Sequence, residues 1–284
     1  MGFHTDLTIE SVESVNCNME GIRQNEYKKG DITVNEIEIE SNAAERIGRK
    51  CGKYITLSAD SIYDFAYNEK QLIELFSENL SKLLNKVESV LVCGIGNRDI
   101  TPDALGPLAA DKIFATRHLS KQLAQSTGLG ELTPVSVISP GVLGQTGLEV
   151  GETLKGIVEK TKPSAVIVID ALAAIKVSRL CTTIQLSDTG ITPGSGVHNA
   201  RAELSEKTLG LKVISVGVPT VADAEIFIEH QPGEKRGNIN HEPMIVTPRE
   251  IDMIIRHAAI VAAMGINCTL QPHISPDDMA LLVG

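Results

Sequence analysis

Two aspartates stand where a carboxylate could take part in chemistry. Asp170 directly follows the apolar residues 165–169, and Asp103 lies in the loop at 93–107, which follows the apolar run at 90–92. A carboxylate at the end of an apolar run is costly to bury without a partner, so Asp170 indicates a functional or hydrogen-bonded position. Two facing carboxylates can hydrolyse an amide, because an ionised one accepts a proton from water and a protonated one donates its proton. This chemistry requires no metal.

Each aspartate also has a purely structural interpretation. Thr101 suits the N-cap of a helix, Pro102 suits its first position, and the helix dipole favours an acidic residue next to them. Asp103 could therefore be a helix-start carboxylate, and Asp170 could cap the turn that follows it. If both are catalytic, we expect Asp103 to stay ionised as the base and Asp170, in the drier position, to be the acid.

The elements that must position these residues have an α/β pattern. From residue 89 onward, helical stretches alternate with apolar runs at 90–92, 135–138, 165–169, 183–186 and 213–216. Such runs predict strands covered on both faces, and the helical stretches provide right-handed crossovers. The sequence therefore predicts an α/β fold with a mostly parallel sheet sandwiched by helices. The carboxyl ends of parallel strands share one edge, which places both aspartates there.

The remaining segments predict an additional antiparallel element and two packing helices. Alternation over 36–40 and the β-prone stretch 54–57 indicate a small antiparallel pair. Apolar side chains at helical spacing predict helices over 72–83 and 251–262. Residues 229–243 have no apolar period, which predicts an exposed loop.

Composition and charge exclude several classes of protein. The 284 residues are 42% hydrophobic and 22% charged, as in an ordinary globular protein that buries a core. A net charge of −10 disfavours direct binding to nucleic acid or to an anionic membrane, because a polyanion requires a basic face. No 18-residue apolar run or export signal is evident. Five widely spaced cysteines fit reduced thiols in a cytoplasmic compartment.

Two familiar motifs are incomplete in this sequence. Residues 94–96 read Gly-Ile-Gly after a predicted strand, as in a dinucleotide loop, but Asp99 stands where the third glycine would be. Ser195 and His198 lie close together, yet the G-x-S-x-G turn of a serine nucleophile fails because residue 193 is proline. The sequence therefore favours neither nucleotide binding nor serine catalysis.

Asp188 and His198 are further candidates, and the loop of His198 is expected to reach the predicted edge. Asp188 begins an Asp-Thr-Gly string, as in pepsin-like proteases, but without their all-β pattern it favours a turn. His198 could complete a metal site of two carboxylates and one imidazole with Asp103 and Asp170. Neither HExxH nor CxxC spacing is present, so no metal or cofactor is expected, and the metal site stays open as an alternative.

A series of motifs in order along the chain resembles the spore germination proteases of endospore-forming bacteria. Among them are Gly-Ile-Gly-Asn at 94–97, Thr-Pro-Asp-Ala-Leu-Gly-Pro at 101–107, Ser-Pro-Gly-Val-Leu-Gly-Gln-Thr-Gly at 139–147, Asp-Ala-Leu-Ala-Ala at 170–174 and Gly-Val-Pro-Thr-Val at 217–221. The resemblance extends from about residue 4 to residue 224.

The resemblance implies an endopeptidase that degrades small acid-soluble spore proteins during germination. It also implies a homotetramer in the cytoplasm of the forespore and spore core, with a fold similar to hydrogenase maturation proteases. The two catalytic aspartates map onto Asp103 and Asp170, with Asn97, Asp188 and His198 as candidate supporting residues. Nickel binding in the maturation proteases keeps a metal-dependent processing peptidase as one alternative. An inactive binding protein on the same fold is the other.

The resemblance further implies an inactive zymogen that removes a short N-terminal segment. Residues 5–10 have the acidic-then-apolar shape of a substrate, which predicts cleavage between Asp6 and Leu7. The alternative is a frayed N-terminal end. The predicted organisation is a propeptide at residues 1–6 followed by one peptidase domain at 7–284. Within this domain, residues 7–85 form a polar N-terminal part and residues 86–284 form the core.

Overall fold

The computed structural model describes residues 5–15, 19–60, 68–197, 200–224 and 244–284. Within these residues, one sheet runs through the molecule with helices on both faces. Its strands are β1 (Ile22–Lys29), β2 (Ile32–Ile39), β3 (Gly52–Ala59), β4 (Val90–Gly94), β5 (Val135–Ile138), β6 (Ala165–Ala174), β7 (Thr183–Ser187), β8 (Lys212–Asp223) and β9 (Ile245–Val246). The α-helices are α1 (Thr8–Ser14), α2 (Ser41–Ile47), α3 (Glu69–Leu84), α4 (Leu105–Ala110), α5 (Lys121–Ser126), α6 (Leu143–Thr146), α7 (Val150–Thr161), α8 (Glu206–Leu209), α9 (Ile251–Leu270) and α10 (Pro276–Val283).

The sheet has a parallel half and an antiparallel half. The strand order is β1-β2-β3-β7-β8-β6-β4-β5, and the short β9 pairs with β8. Strands β5, β4, β6 and β8 are parallel to one another, whereas β7, β3, β2 and β1 join by antiparallel pairing. The α/β prediction is confirmed, and all five predicted apolar runs lie in strands.

The antiparallel element is larger than the predicted pair. Residues 36–40 and 54–57 do pair, as parts of β2 and β3. The run at 183–186, predicted within the parallel sheet, instead forms β7 and pairs antiparallel with β3 and β8. The reason is the short connection at 175–182, because a parallel crossover needs about a dozen residues or more. Strand β7 therefore turns back and continues the sheet into the antiparallel half.

Helix α9 is the apolar centre of one helical layer. Among the described residues, it alone is long and apolar enough to cross a membrane by length and composition, but 67% of that apolar window is buried inside the protein. It packs against α3 and α4, with Ala258, Val261 and Ala262 fully covered. Both predicted packing helices are thus confirmed. The predicted loop at 229–243 lies outside the described residues.

Two glycines allow α4 to begin directly against β4. A Cβ added to Gly94 would lie 2.0 Å from the carbonyl oxygen of Gly106, and one added to Gly106 would lie 2.1 Å from that of Ile95. Since backbone oxygens cannot move aside easily, a side chain at either position would push the helix from the strand. This close approach fixes the turn before α4, which contains Asp103.

Candidate active site

The two predicted aspartates lie at the carboxyl edge of the parallel half. Asp103 ends a short 3-10 turn, Thr101–Asp103, that follows β4, whereas Asp170 lies within β6 and pairs with Gly217 of β8. The hydroxyl of Thr220 donates to the carbonyl oxygen of Pro102 at 2.7 Å, which ties the turn to β8. The structure therefore brings the aspartates to the edge that the strand pattern predicts.

Asp170 lies in a dry position. Its side chain is buried, and its Oδ1 accepts a hydrogen bond from the amide of Ala171 at 2.9 Å. Burial raises the pKa of Asp170 well above its ordinary value, and the negative charges of Asp103 and Asp6 raise this pKa further. The amide of Ala171 offsets these effects only in part. Asp170 is therefore the group of the pair that favours the protonated form.

Asp103 has a more polar environment. It is half-buried, and its Oδ2 accepts a hydrogen bond from the amide of Asn97 at 2.7 Å. Burial raises the pKa of Asp103, whereas the amide of Asn97 lowers it. Gly96 brings the loop against the turn, since a Cβ there would lie 1.9 Å from the carbonyl oxygen of Asp103. Asn97 thus contacts Asp103 through its backbone amide, while its Oδ1 accepts from the amide of Asp99 at 3.0 Å.

A third carboxylate, that of Asp6, lies beside the pair. Its Oδ2 accepts from the amide of Ala173 at 2.9 Å, and its Oδ1 accepts from the hydroxyl of Ser195 at 2.7 Å. The amide of Asp6 donates in turn to the carbonyl oxygen of Ala173 at 2.9 Å. Because Ala173 and Asp170 lie on the same strand, β6, these bonds bring the N-terminal segment to the edge where the aspartates lie.

The backbone around Asp6 is held by two long polar side chains. Gln185 donates from Nε2 to the carbonyl oxygen of Asp6 at 3.1 Å, and its Oε1 accepts from the amide of Thr8 at 2.7 Å. Arg49 donates from Nη2 to the carbonyl oxygens of Thr5, at 2.5 Å, and Leu7, at 3.2 Å. The segment therefore has bonded main-chain atoms on both sides of the predicted cleavage position.

A cavity of about 560 Å³ opens beside this segment. Asp6, Arg49, Tyr54 and Gln185 contribute to its wall, together with Gly217, the strand partner of Asp170. The cavity thus lies between the N-terminal segment and the two halves of the sheet.

Helix α1 is anchored separately from the residues that precede it. The buried Glu10 accepts from the amides of Ile175 and Lys176, each at 2.8 Å. Glu13 forms ion pairs with Lys176 and Arg179, each at 2.7 Å. These contacts hold α1 against the end of β6 independently of Asp6.

The other candidates differ in position. Asp188 accepts from the amide of Lys53 at 2.7 Å, so its carboxylate joins β7 to β3. His198, the imidazole ligand of the alternative metal site, lies outside the described residues. Within the residues described, no three His, Cys, Asp or Glu side chains form a group that could hold a metal ion.

Three partners of the N-terminal segment, Arg49, Gln185 and Ser195, were not predicted from the sequence. Gln185 carried one signal, because a polar residue in the wholly buried strand Thr183–Ser187 needs a hydrogen-bonding partner. No sequence pattern indicated a partner for Arg49, because it lies in a short polar connection whose position is determined only by the packed fold.

Comparison with known proteins identifies the family. Residues 4–230 match the model of the germination protease family. The germination protease of Clostridium acetobutylicum is 38% identical, over 94% of this chain and 95% of its own length. That of Caldanaerobacter subterraneus subsp. tengcongensis is 36% identical, over 100% of this chain and 98% of its own length.

Among solved structures, the [NiFe] hydrogenase maturation protease HycI from Thermococcus kodakarensis KOD1 matches 68% of this chain and 98% of its own. The TM-score is 0.41 at 18% identity, which is too distant to bear on chemistry. The family match and the relatives confirm the resemblance found in the sequence motifs. The chain belongs to the germination protease family and is a peptidase.

Proposed function

We propose that this protein is an aspartic-type endopeptidase that hydrolyses small acid-soluble spore proteins during germination. Membership of the germination protease family supports the peptidase activity. The observation that carries the mechanism is that the two aspartates have unequal environments. Asp170 is buried, whereas Asp103 is half-buried and accepts a hydrogen bond from the amide of Asn97. We assign the protonated, acidic role to Asp170 and the ionised, basic role to Asp103.

The two aspartates then divide the hydrolysis of a peptide bond. The Asp103 carboxylate removes a proton from water as the water oxygen attacks the carbonyl carbon, and Asp170 donates its proton to the carbonyl oxygen. When the tetrahedral intermediate collapses, Asp103 passes its proton to the leaving nitrogen as the C–N bond breaks. Asp170 recovers a proton from the intermediate's hydroxyl, which restores both starting states.

The zymogen belongs to the same proposal. Cleavage between Asp6 and Leu7 releases residues 1–6 as a propeptide. Asp6 lies close enough to Asp170 to raise its pKa, which supports access of this segment to the pair. Because Leu7 is fully buried and Glu10 is anchored, the chain that follows the cut keeps its contacts. We further propose, from the family resemblance, a homotetramer in the cytoplasm of the forespore and spore core.

The test is cleavage of a spore-protein peptide with an acidic residue before an apolar one. We expect Asp103→Asn and Asp170→Asn each to lower kcat/KM by at least about a thousandfold, the scale of losing a catalytic group. Asp99→Asn, in the same loop but exposed, is the matched control. Circular dichroism confirms that each variant remains folded.

A chelator separates the alternatives. Cutting that resists the chelator and requires both aspartates supports the carboxylate pair. Cutting that survives either substitution contradicts it, whereas loss of cutting with chelator alone indicates a metal-dependent peptidase. A folded wild-type protein that binds the peptide without cutting it indicates the inactive binding protein.

A further inference from the structure

The N-terminal segment occupies a strand edge that β4 leaves open. Strand β4 stops pairing with β6 at Gly94, opposite Ile169. Further along β6, the amide and carbonyl of Ala173 instead bond to the side chain and the amide of Asp6. Addition of an extended chain to an exposed strand edge is a common way for proteins to bind peptides, because main-chain bonds suit any sequence. This edge is therefore a ready peptide-binding position.

The side chain at this edge is held by groups that select a carboxylate. Two donors, the amide of Ala173 and the hydroxyl of Ser195, bond to separate oxygens of Asp6. Both bonds to an ionised carboxylate are charge-assisted, which makes them stronger than the corresponding bonds to an uncharged carboxamide. The positive charge of Arg49 also interacts favourably with Asp6. Together these groups favour an acidic side chain over its amide.

Gly196 provides the space for that carboxylate. A Cβ at this position would lie 2.3 Å from Oδ2 of Asp6 and 2.6 Å from the Cβ of Ala173. The glycine is required here for space rather than for backbone conformation, since the φ of Gly196 is not positive. Ala173, Ser195 and Gly196 form what we name the acid cradle.

We infer that the acid cradle is the enzyme's specificity subsite for the acidic residue of its substrate, and that Asp6 fills it in cis until the N-terminal segment departs. Gln185 and Arg49 hold the main chain on either side. This inference rests on the proposed endopeptidase function, because a subsite that selects substrate requires that the protein cleaves peptides. Ser195 and Gly196 are then specificity-determining residues rather than catalytic ones.

A binding experiment tests the subsite independently of cleavage. The full chain carries Asp103→Asn, so that by the proposed function it neither releases residues 1–6 nor cuts the peptide. In this background, Asp6→Ala removes the side chain that fills the acid cradle, and a labelled peptide containing Thr-Asp-Leu is titrated by fluorescence anisotropy. We expect the peptide to bind at least tenfold more tightly with Asp6→Ala than without it, and at least tenfold more tightly than its Thr-Asn-Leu counterpart. Adding Gly196→Ala should remove this binding. Equal affinity for the two peptides, or no gain from Asp6→Ala, would overturn the inference.

A cleavage experiment tests the same residues in the reaction. The ratio of kcat/KM between peptides with Asp and with Asn at the acidic position should fall about tenfold in Ser195→Ala, mainly through KM. Ser14→Ala is the matched control, because Ser14 lines the same cavity but donates to the carbonyl of Ser11. An unchanged ratio in folded, active Ser195→Ala contradicts the inference. Absence of cleavage by wild type contradicts the proposed function, while the binding result still decides the subsite.

Discussion

The two halves of the sheet contribute different parts of the candidate site. The parallel half supplies Asp103 and Asp170 from the turn after β4 and from β6. The antiparallel half and its connections supply Gln185 from β7 and Arg49 from the segment before β3, which hold the N-terminal chain. The aspartates are partly or fully buried, with raised pKa values, whereas Gln185 and Arg49 have their hydrogen bonds satisfied by that chain.

In the proposed function, this difference separates the catalytic carboxylates from the side chains that hold the peptide main chain. The carboxyl edge of the parallel half holds one buried and one half-buried carboxylate, which is unfavourable for stability but suits the proposed proton transfer. The antiparallel half presents donors to main-chain atoms, which suits a peptide of variable sequence. The two halves of the sheet join where β7 pairs with β8.

The largest expected effect on stability comes from separating β4 from α4. Gly106→Ala places a methyl group 2.1 Å from the carbonyl oxygen of Ile95. We expect a loss of about 3 kcal/mol in the free energy of unfolding from this overpacking. Displacement of Asp103 should also lower kcat/KM by at least about a hundredfold. Denaturant unfolding and peptide cleavage measure the two effects.

The matched control is Gly156→Ala in α7, where an added Cβ has no neighbour within 4 Å. Because alanine has the higher helix propensity, this control should gain up to about 1 kcal/mol. Equal unfolding free energies for the two variants would contradict the close approach of α4 to β4.

The next largest effect is expected from a substitution that weakens the hold of the antiparallel half on the N-terminal segment. Arg49→Met removes the donors to the carbonyl oxygens of Thr5 and Leu7. We expect a loss of about 1 to 3 kcal/mol, and faster hydrogen exchange across residues 5–15 by mass spectrometry. Arg46→Met, exposed on α2, is the control and should leave exchange unchanged. Unchanged exchange in Arg49→Met would indicate that other contacts hold the segment.

A smaller effect concerns stability and pH in the parallel half. Burial and nearby negative charge raise the pKa of Asp170, so above about pH 4 the folded protein binds more protons there than the unfolded chain does. This contribution therefore lowers stability as the pH rises toward the folded-state pKa. Asp170→Asn cannot titrate, so we expect its Tm to exceed that of wild type by a few degrees at pH 7. The difference should shrink toward pH 4.

Asp111 provides a comparison of opposite sign. A hydrogen bond from Arg98 lowers the pKa of Asp111, and that arginine's charge lowers it further. Asp111→Asn should therefore lower Tm slightly at pH 7, with the difference disappearing as the pH falls below about 4. Calorimetry across this pH range measures both variants. The same sign of change for both would contradict the raised pKa of Asp170.

The smallest effect is expected at Asp188. Asp188→Ala removes the acceptor for the amide of Lys53 and should cost about 0.5 to 1.5 kcal/mol in unfolding free energy. We expect kcat/KM to change by less than about threefold, because the bond joins two strands. Asp60→Ala, at the exposed end of β3, is the control for general surface effects. A large activity loss in folded Asp188→Ala would assign this residue a supporting catalytic role.

The sequence by itself determined the strands of the core and the edge at which the aspartates lie. Apolar runs identify buried strands because burial depends on side-chain type along a short segment. Parallel strands end on one edge, so the positions of Asp103 and Asp170 after such runs sufficed to bring them together. The family motifs pointed to the same pair.

Only the tertiary structure decided the direction of β7 and the partners of Asp6. Gln185 and the carbonyl of Asp6 are 179 residues apart, and Ala173 and the carboxylate of Asp6 are 167 apart. Local patterns encode whether a residue is buried but not which distant group satisfies its hydrogen bonds, because that choice depends on packing of the whole chain. The physical difference between Asp103 and Asp170 likewise became clear from burial and neighbouring charge.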